Sequence, residues 1–238
     1  MKKIVIAMLL IGFVVVAAAQ TNIVRSDLET WTAVGLNAKL GQKWSFTLTE
    51  QLRLEKNSSI VDQYYTSADV KYSIINKHLY LGTGYRFICE NDAESGFKNE
   101  QRFDFDIIYL HSFDRLKLSS RLRYQNRNDV GEKISEGDYS IQNYRLRLQG
   151  DYNIKNWKLD PVLSVELFRR YEKYTLPYFD NIRFRLGTNY KIRNYGEIEV
   201  FYQIDRELEV LYPQTTYVIG LSYQYSFGNI LNKNKSNE

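Results

Sequence analysis

Alternation with a period of two, sustained over unusually long stretches, constrains this chain more than any other feature. Over residues 43–55 the apolar residues Trp44, Phe46, Leu48, Leu52 and Leu54 fall on one face, with Lys43, Ser45, Thr47, Thr49, Gln51 and Arg53 on the other. Ile182, Phe184, Leu186, Thr188, Tyr190 and Ile192 alternate in the same way with Asn181, Arg183, Arg185, Gly187, Asn189 and Lys191, and the pattern returns over residues 216–227. Successive side chains of a strand point to opposite faces, so each stretch reads as a strand whose two faces meet unlike surroundings. About eleven such stretches begin near Glu29, Lys43, Gln63, His78, Lys98, Arg115, Tyr139, Asn156, Asn181, Gly196 and Thr215, most of them about 11 to 15 residues long. Soluble strands average about 5 or 6 residues, whereas a tilted strand crossing a bilayer needs roughly 9 to 11. The composition agrees: Tyr is abundant at 20 of 238 residues, while Pro numbers only 3 and a single cysteine, Cys89, excludes both a disulfide scaffold and a cysteine zinc site.

The connections alternate in length. Tight turns are expected near Gly41, Asn76, Phe113-Asp114, Ile154-Lys155 and Asn194-Tyr195, and longer loops at 56–62, 91–97, 128–138, 172–180 and 207–214. Short turns at one end and long loops at the other are the layout of an outer-membrane barrel. A soluble lipocalin-like barrel would turn its apolar face inward and show no such rhythm. Bacterial barrels of this type have an even strand number, so the segment 20–26 is expected to add a strand or thread the lumen. The expected fold is therefore all-β, a transmembrane up-and-down antiparallel β-barrel of about 12 strands, or 10 with an irregular N-terminal segment.

Residues 1–19 read as a cleaved signal peptide, with Lys2 and Lys3, an apolar run from Ile4 to Val16, and Ala17, Ala18 and Ala19 before Gln20. The run is too short to span a bilayer as a helix, which takes roughly 20 residues. Residues 20–227 would form the barrel and 228–238 a polar tail. The net charge of +4 drops to +2 without the first two lysines, too weak to predict a nucleic-acid partner. The expected location is the outer membrane of a Gram-negative bacterium, with outer-membrane lipids, lipopolysaccharide and the barrel-insertion machinery as partners.

On that layout Trp44, Tyr72, Tyr152, Trp157, Tyr190 and Tyr225 all lie near the short-turn end on the apolar face, as an aromatic belt at headgroup level would. The polar face lines the lumen, and its charges pair across hairpins. A two-residue turn at Phe113-Asp114 places Asp106 opposite Arg121, Asp104 opposite Arg123 and Glu100 opposite Arg127. A turn at Ile154-Lys155 places Asp151 opposite Lys158 and Asn143 opposite Glu166, near Arg145. A turn of about three residues in the next hairpin places Lys191 opposite Glu197 and Arg183 opposite Asp205. Arginine rings favour anions in a pore, but alternating acidic and basic strands predict a lumen that neutralises itself. The loops carry an acidic excess, including Asp62, Asp92, Glu94, Asp129, Glu132, Glu136, Asp138, Glu172, Asp180, Glu207 and Glu209, which reads as a solvated rim or as a weak site for divalent cations.

No catalytic, metal or cofactor site is expected. The only histidines are His78 and His111, and both lie beside short turns, away from the long-loop side where barrel lipases, acyltransferases and proteases work, while carboxylate pairs such as Asp104 with Asp106 have arginine partners that make them structural. Neither a Gly-x-Ser-x-Gly elbow nor a His-Glu-x-x-His helix is present. The reading is a non-enzymatic barrel, structural or weakly pore-forming; an outer-membrane lipid hydrolase or acyltransferase and a soluble periplasmic ligand-binding barrel are the alternatives.

With Trp31, Trp44, Gln51, Arg53, Pro161, Glu166, Leu167, Phe168, Arg183, Arg185, Gly187 and Tyr190 placed, the chain resembles a family of Bacteroidota outer-membrane barrels known as domain of unknown function 2490. The likeness covers most of the mature chain, best over 44–53, 165–168 and 183–190. It implies an outer-membrane barrel and carries no activity to transfer. The final strand also resembles a barrel-insertion signal in Gly220, Tyr223 and Tyr225, and departs from it at Val218, where a polar residue is usual.

Overall fold

The computed structural model describes residues 25–76, 78–92, 96–131, 140–192 and 195–229. Eleven strands run in chain order: β1 (Arg25–Leu40), β2 (Trp44–Glu55), β3 (Ile60–Ile75), β4 (Leu79–Asp92), β5 (Gly96–Phe113), β6 (Leu116–Asp129), β7 (Ile141–Tyr152), β8 (Leu159–Tyr171), β9 (Tyr178–Ile192), β10 (Gly196–Glu207) and β11 (Gln214–Asn229). Each pairs with its sequence neighbours, and β1 pairs with β11, so the sheet closes into a barrel. The strands are 12 to 18 residues long, as the alternation requires. No helix among the described residues is long and apolar enough to cross a membrane.

The strand number among the described residues is eleven, neither twelve nor ten. An up-and-down sheet with an odd number of strands can close only through one parallel pair, and β1 supplies it directly. Its ladder with β11 runs from Arg25↔Gln214 to Lys39↔Asn229 and leaves no position for a further strand between them. β11 also reaches two residues into the expected tail. The signal segment and residues 20–24 lie outside the described residues.

The short and long connections survive in weaker form. Gly41, with φ 64°, makes the first turn, and the last three connections on the opposite end span 130–140, 172–177 and 208–213. The loop expected at 91–97 shrinks to 93–95, because β4 and β5 stay paired out to Asp92↔Gly96. The connection at 56–59 is equally compact. Lys56, Asn57 and Ser58 all adopt left-handed backbone conformations, and the Asp27 carboxylate accepts the amides of Lys56 and Asn57, both at 2.8 Å. Those bonds offset the local backbone cost.

The apolar face points outward all round the barrel. Trp44, Phe46, Leu48 and Leu52 of β2 are exposed on it, as are Phe103, Phe105, Ile107 and Tyr109 of β5 and Leu146 and Leu148 of β7. The buried residues are mostly polar: Glu100, Arg102, Asp104, Asp106, Arg123, Arg145, Glu166 and Gln203. This inverts the usual order of a soluble domain. The one buried apolar cluster among the described residues, Trp31, Phe201 and Val218, lies inside the barrel at the β10–β11–β1 seam. Gly220 stands opposite Trp31 on one side and Phe201 on the other, and the Phe201 ring occupies the space its Cβ would take. Val218 thus faces the lumen, fully buried opposite Gln203 and Glu29.

Candidate functional site

The lumen positions its charges through hairpin register, and the register follows turn chemistry. In the β5–β6 hairpin Phe113 pairs with Leu116, leaving Asp114-Arg115 as the two-residue loop. Asp114 has φ 48°, a conformation that such loops demand and that Asp tolerates better than Phe. The expected Phe113-Asp114 turn is therefore wrong by one position, and every partner moves by two residues while keeping its face. Asp106 stands opposite Arg123, not Arg121; Asp104 stands opposite Gln125, and Glu100 opposite Asp129. The β7–β8 ladder starts at Asp151↔Val162, immediately after Pro161, which has no N–H to donate to it. The two-residue turn expected there is a six-residue connection, 153–158, so Asp151 does not meet Lys158 and Asn143 stands opposite Arg170 rather than Glu166. The β9–β10 hairpin has the expected register, with Lys191↔Glu197 and Asp205↔Arg183.

The side chains then make contacts that strand pairing alone does not specify. Arg123 grips Asp106 with two bonds, Nε–Oδ1 at 2.6 Å and Nη2–Oδ2 at 2.7 Å, and reaches diagonally to Asp104 at 3.1 Å. Asp104 also accepts a bond from Arg102 at 2.9 Å. Glu100 and Glu90 both bind Arg127. Arg183 holds Asp205 at 2.9 and 2.6 Å. Of the six expected opposite-charge pairs, with Asp151 and Lys158 already separated by the longer connection, Asp104–Arg123, Glu100–Arg127 and Arg183–Asp205 are in contact. Asp106–Arg121 is not, because Arg121 instead donates to Glu166 at 2.7 Å. Lys191 and Glu197 face each other in the ladder without an ion pair.

Glu166 is the residue that sequence reasoning undervalued. Besides Arg121 it is held by Arg145, through Nε at 3.2 Å and Nη2 at 3.0 Å, and Arg147 stands opposite it in the ladder. The corrected register also sets like charges side by side: Arg86 opposite Arg102, Arg102 opposite Arg127, Arg121 opposite Arg147 and Arg123 opposite Arg145. Like charges directly opposite on a sheet are unfavourable, so a self-neutralising lumen is only half the description.

These side chains surround a cavity of about 510 Å³ in the barrel interior, reaching from Arg147 and Glu199 to Arg127, Arg170 and Asp180 near the long-loop end. Eleven arginines line it against three acids, Glu166, Asp180 and Glu199. Eight of the eleven have a carboxylate partner. Arg53, Arg86 and Arg147 are in ion-pair contact with none among the described residues. A smaller cavity, about 260 Å³, lies towards the short-turn end and shares Arg147, Arg185, Glu199 and Ser222 with the first. Aromatic rings support several of the guanidinium groups: Trp31 under Arg53 at 3.7 Å, Tyr65 under Arg86 at 3.6 Å, Phe201 under Arg185 at 3.8 Å and Phe168 under Arg145 at 4.3 Å.

The other expected sites are placed as follows. Trp44 and Tyr72 pair across β2 and β3 with ring centroids 4.7 Å apart, Tyr152 ends β7, and Trp157 lies in the connection after it. Tyr190 stands beside Leu159 at the foot of β8, and Tyr225 beside Leu36 on the closing strand. All six occupy the short-turn end. A second aromatic tier, not foreseen from the sequence, lies towards the other end: Tyr85 with Phe103, Tyr124 with Tyr144, and Tyr144 with Tyr171. His78 is exposed, with Nδ1 3.2 Å from the Leu110 carbonyl, and His111 rests on Phe113 with centroids 4.2 Å apart. Neither lines the lumen cavity. Several rim acids are spent on local structure: Glu172 and Asp180 on Arg170, Glu207 on the Gln214 amide, and Glu209 on the Phe179 amide. Glu94, Glu132, Glu136 and Asp138 lie outside the described residues. No group of three or more His, Cys, Asp or Glu side chains suited to a metal ion occurs among the described residues.

Residues 28–209 match the family model described as Protein of unknown function (DUF2490), and the chain belongs to that family. No curated protein and no solved structure matches it.

Proposed function

We propose that this family member is a non-enzymatic outer-membrane β-barrel, structural or weakly pore-forming. The observation that carries the reading is the inverted barrel: exposed apolar side chains cover the outside while ion pairs fill the inside. Water outside such a surface would be costly, since contiguous apolar patches beyond a few hundred Å² are rare on soluble monomers. A soluble periplasmic ligand-binding barrel would show the opposite arrangement. The two aromatic tiers set a height. Tyr64 and Tyr72 on β3, Tyr144 and Tyr152 on β7, and Tyr217 and Tyr225 on β11 are each eight residues apart on the outward face. Eight residues rise about 26 Å along a strand, or about 20 Å along the axis at a tilt of about 40°, comparable with the roughly 25 Å apolar band of outer-membrane barrels.

On this reading the outside contacts outer-membrane lipids, the long-loop rim meets lipopolysaccharide, and the barrel-insertion machinery receives the chain after export. No cofactor or nucleic acid enters the proposal. The lipid hydrolase or acyltransferase alternative is less well supported, since neither histidine lines the lumen cavity and both lie at the short-turn end. Cell fractionation tests the location: a heat-modifiable band in the outer-membrane fraction is expected, and recovery of the chain as a soluble periplasmic monomer would overturn the reading.

A further inference from the structure

We infer that the arginine-lined cavity is a binding site for a small anion bearing two or more carboxylate or phosphate charges. The inference goes beyond the proposed function and needs only the barrel, not its location. Three observations carry it. The first is unspent charge. Arg53, Arg86 and Arg147 have no ion-paired carboxylate among the described residues, although they share one enclosed space with eight arginines that do. Arg53 and Arg147 come from β2 and β7, on roughly opposite walls of an eleven-stranded barrel, so cationic groups face the cavity from more than one side. A ligand with charge at two or more positions suits that distribution better than a single small ion.

The second observation is preorganisation that leaves a donor of each group without a partner. Arg53 sits over the Trp31 ring at 3.7 Å and Arg86 over Tyr65 at 3.6 Å. A guanidinium uses its face to stack and its edge to donate hydrogen bonds, so stacking fixes the group while leaving its edge free. The Nε of each is buried and has no hydrogen-bond partner. Buried donors normally find one, and an oxyanion would supply it. The third observation is the chemistry already at work in the same space. Glu166 is a carboxylate clasped by Arg121 and Arg145 at 2.7 to 3.2 Å, the paired recognition that arginine gives carboxylate and phosphate alike. A volume of about 510 Å³ lies within the range of small-molecule sites, roughly 300 to 1,000 Å³.

The test is calorimetric titration of the full mature chain with pyrophosphate and with citrate, at an ionic strength fixed by sodium chloride. Acetate and sucrose serve as controls, and detergent is used only if the chain needs it. Saturable binding of at least one probe, at one site per chain and about tenfold or more tighter than acetate, is expected. The pyrophosphate and citrate arms separate phosphate from carboxylate preference. Arg53→Gln and Arg147→Gln, made separately, should each weaken that binding about tenfold or more, as loss of a charged hydrogen bond does. Binding no tighter than acetate for both probes overturns the inference, and so does unchanged affinity in both variants. A variant that fails to fold is replaced by Arg86→Gln, and the wild-type titration decides independently of any variant. Because the same titration can be run on protein from either fraction, a wrong location and an absent site are distinct results.

Discussion

Exchanging the charges at Arg123 and Asp106 tests the corrected register and the energetics of the lumen together. Arg123 makes two bonds to Asp106 and one to Asp104, and its side chain is 10% exposed while those of its partners are 7% and 5% exposed. Replacing it with Glu removes the cation between two buried carboxylates and adds a third. Breaking a buried pair from one side costs about 3 to 5 kcal/mol, and the added repulsion places Arg123→Glu at or above the upper end of that range. Domain stabilities are about 5 to 15 kcal/mol, so the loss is severe: refolding from urea should give little of the heat-modifiable form. Adding Asp106→Arg restores a directly opposed pair of reversed sign, and a coupling of up to about 3 kcal/mol should return much of the yield. Adding Asp104→Arg instead should rescue poorly. Position 104 faces Gln125, and an arginine there would abut Arg102. Urea midpoints of the wild type, single and double variants complete the cycle. Better rescue from position 104 than from position 106 would refute the register, and purely additive effects in both doubles would show that these side chains do not touch.

Gly220→Ala should destabilise the barrel by about 1 to 3 kcal/mol through overpacking, because its Cβ would lie 1.9 Å from Phe201 Cζ; Phe201→Leu in the same chain should recover part of the loss in urea midpoint. The double change His78→Ala and His111→Ala should leave insertion, heat-modifiability and any cellular phenotype intact, and loss of the phenotype in a normally inserted barrel would revive the hydrolase or acyltransferase reading. In planar bilayers the refolded mature chain should give small currents, because ion pairs fill much of the lumen, with anions favoured by the arginine excess at the cavity; a large or cation-selective current would contradict that.

The barrel and the orientation of its faces were legible because both follow from a local signal. Alternation at Trp44, Phe46, Leu48 and Leu52 states which side is apolar, and strand length states that the strands are too long for an ordinary soluble sheet. Two features were not legible. The closure is one, since the parallel β1–β11 pairing joins residues at opposite ends of the chain and no local pattern announces it. The charge map is the other. A one-position change in the β5–β6 turn moves Asp106 from Arg121 to Arg123, and the six-residue connection 153–158, in place of a two-residue turn, displaces the β7–β8 register by four. Period-two patterning survives both shifts, so it cannot choose between them. Arg183 and Asp205 were placed correctly because the β9–β10 turn has the expected length. Once Arg121 is released from Asp106 it turns to Glu166, and what began as a set of independent pairs becomes a network with arginines left over. The residue type at 114 was the one available signal, since Asp tolerates the left-handed first position of a two-residue loop better than Phe113 does.

The closing seam and the candidate site are physically linked. Parallel pairing is slightly less stable per residue than antiparallel pairing, and the one parallel ladder of this barrel is where the interior turns apolar, with Val218 fully buried and Trp31 edge-on to Phe201 at 6.4 Å. Both rings have a second partner. Trp31 carries the Arg53 guanidinium at 3.7 Å, and Phe201 carries that of Arg185 at 3.8 Å. The residues that stabilise the seam are thus the platforms on which two cavity cations rest, one without a carboxylate partner and one shared between Glu199 and Gln203. Gly220 fixes the spacing of those platforms, since it stands between them and leaves the Phe201 ring its place. A change at Gly220 therefore acts on the closure first and on anion affinity through it, whereas Arg53→Gln removes a cavity cation directly and leaves the contact of Gly220 with the Phe201 ring in place.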